Sequence, residues 1–292
     1  MAEIRVATKL PQAPRQAAKV YRLKAPSVTE RSIRELAKGL GMSIESRRIR
    51  LSADEDKLVL TSGTYELRMY RASGGFRFVD HSRWQIDDLQ TDIDISDATA
   101  QRMAQASLKR LGLGTASGEA RFLKAARLHM GSSTTEGREA SDRVIDVAVA
   151  FQRMVDKVPV DGPGGKLVVY LDHLGHPTCV ERVWRQLGSA RSVGAGWRTP
   201  QEALQEMSEH LRAKRGNVVV DEVRFGYFEE GPRSAQSLLQ PAYVIKGVIG
   251  DSDSRVRRKL IYVARALANA KTPLTPPLAR QKKQRSRPSP TR

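Results

Sequence analysis

Residues 144–185 read VIDVAVAFQRMVDKVPVDGPGGKLVVYLDHLGHPTCVERVWR. Apolar and polar residues alternate up to a turn rich in proline and glycine, Pro159 to Gly165. A second run, KLVVYL, ends at Asp172-His173-Leu174-Gly175, and a third, TCVERVW, follows. A period of two puts successive side chains on opposite faces of a strand, and the two turns are short enough to join neighbours. The stretch therefore predicts an antiparallel meander. It specifies a scaffold without specifying a reaction.

On the N-terminal side, residues 1–18 with Pro11 and Pro14 read as a flexible arm, and KVYRLKAP as a short strand. Ser27 and Glu30 have the spacing of a capping box ahead of Ile33, Leu36, Ala37 and Leu40, which predicts a helix ending at Gly39 and Gly41. Four short alternating runs, ESRRIRLS, KLVLTS, TYELRMYR and FRFVD, predict a first meander. A second helix is expected from a polar start near Asp94 to Asp97, with Met103, Ala104, Leu108 and Leu111 as its stripe. EARFLKAARLHM reads as a strand, followed by a polar hairpin loop at 131–141.

On the C-terminal side, GSARSVGAG reads as a loop. Thr199, Pro200 and Glu202 then give the clearest helix start in the chain. NVVVDEVRFGYFEE, LLQPAYVIKGVI and RVRRKLIYVARAL read as strands. Helices expected near 27, 96 and 199 are too unevenly spaced for a solenoid. The pattern implies an α+β protein of two lobes, each a curved antiparallel sheet with helices on one face. The N-terminal lobe is placed at 19–130, the C-terminal lobe at 142–270, and a disordered basic tail at 271–292.

The 292 residues carry a net charge of +18, with 40% apolar and 28% charged residues, a globular composition. The acid-free tail supplies seven of those charges, including Lys282, Lys283, Arg285 and Arg287 as candidate polyanion contacts. No apolar run reaches the roughly 20 residues of a membrane-spanning helix, and the N-terminus shows no export signal, so a cytoplasmic location is the default. The single cysteine, Cys179, rules out an internal disulfide and reads as a structural thiol in a strand.

The five histidines, His81, His129, His173, His176 and His210, form no HExxH pair. No G-x-S-x-G elbow is present. Gly162-Pro163-Gly164-Gly165-Lys166 leads into a strand with Leu167 after the lysine, so it is a glycine turn and not a phosphate loop. Asp172, His173 and His176 are the best local candidates for metal ligation, set in a turn. Asp221, Glu222, Glu229 and Glu230 lie on or beside expected strands. Trp184, Trp197, Tyr227, Phe228 and Tyr243, near Arg182, Arg185, Arg198 and Arg224, read either as a stacking platform or as core aromatics. No cofactor is expected.

The sequence Lys157-Val158-Pro159-Val160-Asp161-Gly162, the Asp-x-x-Gly turn at 172–175, the helix TPQEALQEMSEHL and the strand QPAYVIKGVI together resemble a known grammar. It is that of the PepSY/FTP-type propeptide module of thermolysin-like proteases, in which the first turn is written G-x-P-V-x-G. YycI-type regulators of sensor kinases have a similar two-lobed pattern. The resemblance covers about 140–265; Lys157 stands where the family prefers glycine. It implies a non-catalytic protein-binding or regulatory module working outside the cytoplasmic membrane. Pro159, Gly162, Pro163 and Gly164 would then serve backbone geometry. The alternative is a weakly specific binder of nucleic acid or anionic surfaces that uses the tail and the arm.

Overall fold

The computed structural model describes residues 4–12, 19–44, 49–84, 93–133, 139–193, 196–211, 217–250 and 257–268. The tail candidates Lys282, Lys283, Arg285 and Arg287 lie outside them. In chain order the elements are β1 (Ile4–Val6), β2 (Lys19–Leu23), α1 (Glu30–Gly39), β3 (Ile49–Ala53), β4 (Lys57–Ser62), β5 (Tyr65–Tyr70), β6 (Phe76–Asp80), a 3-10 turn (His81–Trp84) and α2 (Asp97–Arg110). There follow β7 (Ala120–Ser133), β8 (Glu139–Val155), β9 (Val158–Asp161), β10 (Lys166–Leu171), β11 (Pro177–Val183) and β12 (Leu187–Ser192). Then come α3 (Pro200–Leu211), β13 (Asn217–Phe228), β14 (Leu238–Leu239), β15 (Pro241–Gly250) and β16 (Arg257–Arg265). Of the described residues 51% are strand and 17% helix, so the protein is a mixed, sheet-dominated structure and not an even α+β balance.

Two compact units share the chain. The larger takes residues 17–193 and 226–241; the smaller takes its described residues from 1–16, 194–225 and 242–292. Where the sequence sets a lobe boundary, at 131–142, residues 131–133 and 139–142 belong to the β7–β8 pair, inside the larger unit.

In the larger unit the strand order is β9-β8-β10-β11-β6-β5-β4-β3, with β7 also on β8, and a three-stranded sheet runs β12-β2-β14. Long β8 is the hub. Val147, Val149 and Phe151 point to one face, where they join Leu60, Leu67, Leu167, Val169 and Leu171 in a core with Ile33 and Ala37 of α1 and Ala100 and Ala104 of α2. Burial alternates strictly along β4 and β10, which turns Leu58 and Leu60, and Leu167, Val169 and Leu171, to the helix side.

In the smaller unit β13 lies between β15 and β1, and β16 follows β15. Ala203, Met207 and Leu211 of α3 pack on Val218, Val220, Tyr243, Ile245 and Tyr262.

Three local expectations change. The cap of α1 is Thr29, whose Oγ1 accepts the Ser32 amide at 3.1 Å, and not Ser27. Residues 187–192, expected as loop, form β12 and pair with β2. Pairing is not all antiparallel, because β1 and β9 both run parallel to β13. The expected start of α3 is present: Thr199 Oγ1 accepts the Glu202 amide at 3.2 Å, and Glu202 accepts the Thr199 amide at 2.6 Å.

Candidate functional site: a buried ion cluster and a cationic sheet face

The proline-glycine stretch is two turns. Asp156 and Lys157, both in the left-handed region at φ 50° and 63°, close the β8–β9 hairpin. This is the two-residue geometry that matches strand twist. The second turn, residues 162–165, carries the chain from β9 to β10. There Pro163 is exposed and Gly162, at φ +109°, lies against the chain after β13. A Cβ on Gly162 would sit 2.3 Å from the Glu229 carbonyl, and one on Gly164 would sit 2.4 Å from that of Glu230. The Gly164 amide donates to the Glu229 carbonyl at 2.9 Å, and the Glu229 amide to that of Asp161 at 2.9 Å. Glycine at 162 and 164 therefore admits the backbone of 229–230.

That approach holds Glu229, fully buried, between two arginines. Its Oε2 is 3.3 Å from a terminal nitrogen of Arg153, and its Oε1 accepts the Arg185 amide at 2.8 Å and faces the Arg185 guanidinium at 3.3 Å. Arg185 also donates to the carbonyls of Glu230, Gly231 and Ser234, and Arg153 donates to the Arg185 carbonyl. Burial pushes the Glu229 carboxyl up, opposed by both guanidiniums and the amide; burial also lowers both arginines. The cluster is closed on itself and serves as an internal brace.

Asp172 and His176 come together, but with Arg83 as their third partner. Asp172 Oδ1 accepts the amides of Leu174 and His176 at 2.9 and 2.8 Å, and Oδ2 accepts from Arg83 at 3.0 Å. His173 is exposed. Among the described residues no group of three or more His, Cys, Asp or Glu could hold a metal ion. Cys179 is fully buried on β11, and burial pushes its thiol up to about 11, so at neutral pH it stays protonated and unreactive. Among the aromatics, Tyr227 and Phe228 are buried in the larger unit. In the smaller unit Trp197, Phe225 and Tyr243 make two edge-to-face pairs. Trp184 carries the guanidiniums of Arg153 and Arg182, 5.2 and 5.3 Å from its ring centre.

The second feature is the face of the larger sheet opposite α1 and α2. Register places Arg121 and Lys124 of β7 opposite Gln152 and Ala150 of β8, then Lys166 of β10, Arg77 of β6 beside Glu181 of β11, Arg68 of β5 and Arg50 of β3 on this one face. The acidic residues among them are Glu66, Asp146 and Glu181, so the face is net cationic. Arg77 pairs with Glu181 at 3.0 Å and Arg68 with Glu66 at 2.6 Å. Arg50 and Lys124 are exposed and make no ion pair among the described residues. No composition signal marks this face, because its cations come from five strands spread between Arg50 and Lys166 in the sequence and only register collects them.

No helix among the described residues is long and apolar enough to cross a membrane. No family model matches the chain. No curated protein matches it either. It is similar in fold to the crystal structure of an uncharacterized protein from Eubacterium rectale ATCC 33656, at a TM-score of 0.51 and 12% identity. The match spans 94% of this chain and 90% of that one, so the likeness is one of overall fold.

Proposed function

We propose that the protein is a non-catalytic binding module of the PepSY-like, two-lobed α+β type, and that its larger sheet receives an acidic segment of a partner protein. The observation that carries this reading is the net cationic sheet face holding Arg50, Arg68, Arg77, Arg121, Lys124 and Lys166 without a covering helix among the described residues. Two of these cations, Arg50 and Lys124, are free to pair with carboxylates. A nucleic-acid strand would also want exposed aromatic rings for stacking, and this face supplies only the half-buried Tyr70 and Tyr170. The candidate reactive groups of the unit, Glu229, Asp172 and Cys179, are bonded or buried within the fold, which supports a binding role over a reaction.

Fluorescence anisotropy of a labelled poly-glutamate peptide tests the reading. Binding is expected to weaken with salt, and the double reversal Arg50→Glu/Lys124→Glu is expected to raise Kd at least about tenfold. Binding that is unchanged by the reversal yet lost on deleting 271–292 would sink it in favour of the tail. Tighter binding to duplex DNA than to the peptide, through the same two residues, would pass the face to nucleic acid.

A further inference from the structure

A cavity of about 410 Å³ opens between α2, the loop after it and the helix side of the larger sheet. Leu108, Phe151 and Leu167 make its apolar wall, and Gln105, Lys109 and Thr115 contribute polar groups. Among the described residues no carboxylate lines it. In the cross-strand row that runs through Phe151 and Leu167, the next residue on β11 is Arg182, the Cα partner of Leu167 and therefore on the same face.

Arg182 is unusual. It is half-buried, its guanidinium lies over Trp184, and among the described residues it has neither a hydrogen bond nor an ion pair. Glu119 and Glu229 act on it only through space, and burial lowers its pKa, the mark of a charge held short of water and without a contacting anion. By contrast its neighbours Arg153 and Arg185 each pair with Glu229 and donate to backbone carbonyls. Arg182 does not itself line the cavity but is the cross-strand neighbour of Leu167 in its wall, and a half-buried arginine held on an indole there is half of a carboxylate site, because its planar fork matches the two oxygens. Lys109 at the cavity adds a second positive charge.

We infer that this cavity is a small-molecule site for an amphipathic carboxylic acid, with an aromatic or short aliphatic body against Leu108, Phe151 and Leu167 and its carboxylate on Arg182. The site is on the helix side of the sheet, so it is independent of the acidic-partner reading, and either can fail alone.

Calorimetric titration of the full chain with 4-phenylbutyrate, hexanoate and the neutral 4-phenylbutyramide tests it, with tryptophan fluorescence as a second readout at Trp184. A ligand of this size is expected to bind with a Kd of about 0.1–1 mM. The amide is expected to bind at least about tenfold more weakly than the acid. Arg182→Met should abolish that acid-over-amide preference, and Gln105→Trp, at the exposed cavity mouth, should weaken acid and amide alike. The wild-type comparison keeps the test decisive even if Arg182→Met does not fold. Failure of both acids to bind at 10-fold above that range, or equal affinity for acid and amide, would overturn the inference.

Discussion

Glu229→Gln is expected to lower the thermal midpoint of the larger unit by about 10 °C. The substitution keeps the shape and one acceptor but removes the only carboxylate among the described residues in contact with the buried guanidiniums of Arg153 and Arg185. Breaking a buried ion pair by neutralising one partner costs about 3–5 kcal/mol, since the other charge is left without compensation. For a unit of this size each kcal/mol shifts the midpoint by roughly 2–4 °C. Differential scanning calorimetry reads the effect directly. Glu35→Gln is the matched control: its bridge to Arg31 is an i,i+4 pair on exposed α1 surface, and its loss should leave the midpoint nearly unmoved. A midpoint for Glu229→Gln within a degree of wild type would remove the brace from the description of the fold.

The second large effect is expected at the turn. Gly162→Ala must place a methyl 2.3 Å from a backbone carbonyl and 2.9 Å from the Phe228 ring while holding φ at +109°. Neither the carbonyl nor the ring is the end of a flexible chain, so the 229–231 segment has to move, and the Glu229 cluster moves with it. A loss of at least about 3 kcal/mol in urea unfolding is expected. Gly63→Ala separates sterics from conformation. Gly63 also has positive φ, +59°, but nothing lies within 4 Å of its Cβ position, so only the left-handed penalty of about 1 kcal/mol applies. Similar losses for both variants would mean that close packing of the turn on 229–230 does not matter.

What the sequence made legible was local. The start of α3 is written in Thr199, Pro200 and Glu202: the Thr199 hydroxyl accepts the Glu202 amide, the Glu202 carboxylate accepts the Thr199 amide, and Pro200 has no amide to satisfy. The cap of α1 shows the limit of such reading: Ser27 and Thr29 both offer an oxygen, and the choice falls to Thr29 because Ser32 answers it. Strand β12, LGSARS, has no apolar alternation, since its place is set by pairing with β2 more than 160 residues away. The same holds for the candidate site. Glu229 meets its arginines across 44 and 76 residues, and the cationic face arises from the register of strands whose single sequences look like ordinary solvated surface. The compact units are likewise assembled from non-contiguous segments, which no composition shift along the chain announces.

The central functional claim concerns where an acidic partner sits, and lysine footprinting with an acylating reagent reads that directly. With poly-glutamate bound, modification of Lys124 is expected to slow several-fold, while Lys38 on α1 and Lys109 on α2, across the sheet, react at unchanged rates. Protection confined to Lys282 and Lys283, with Lys124 as reactive as in the free protein, would contradict it.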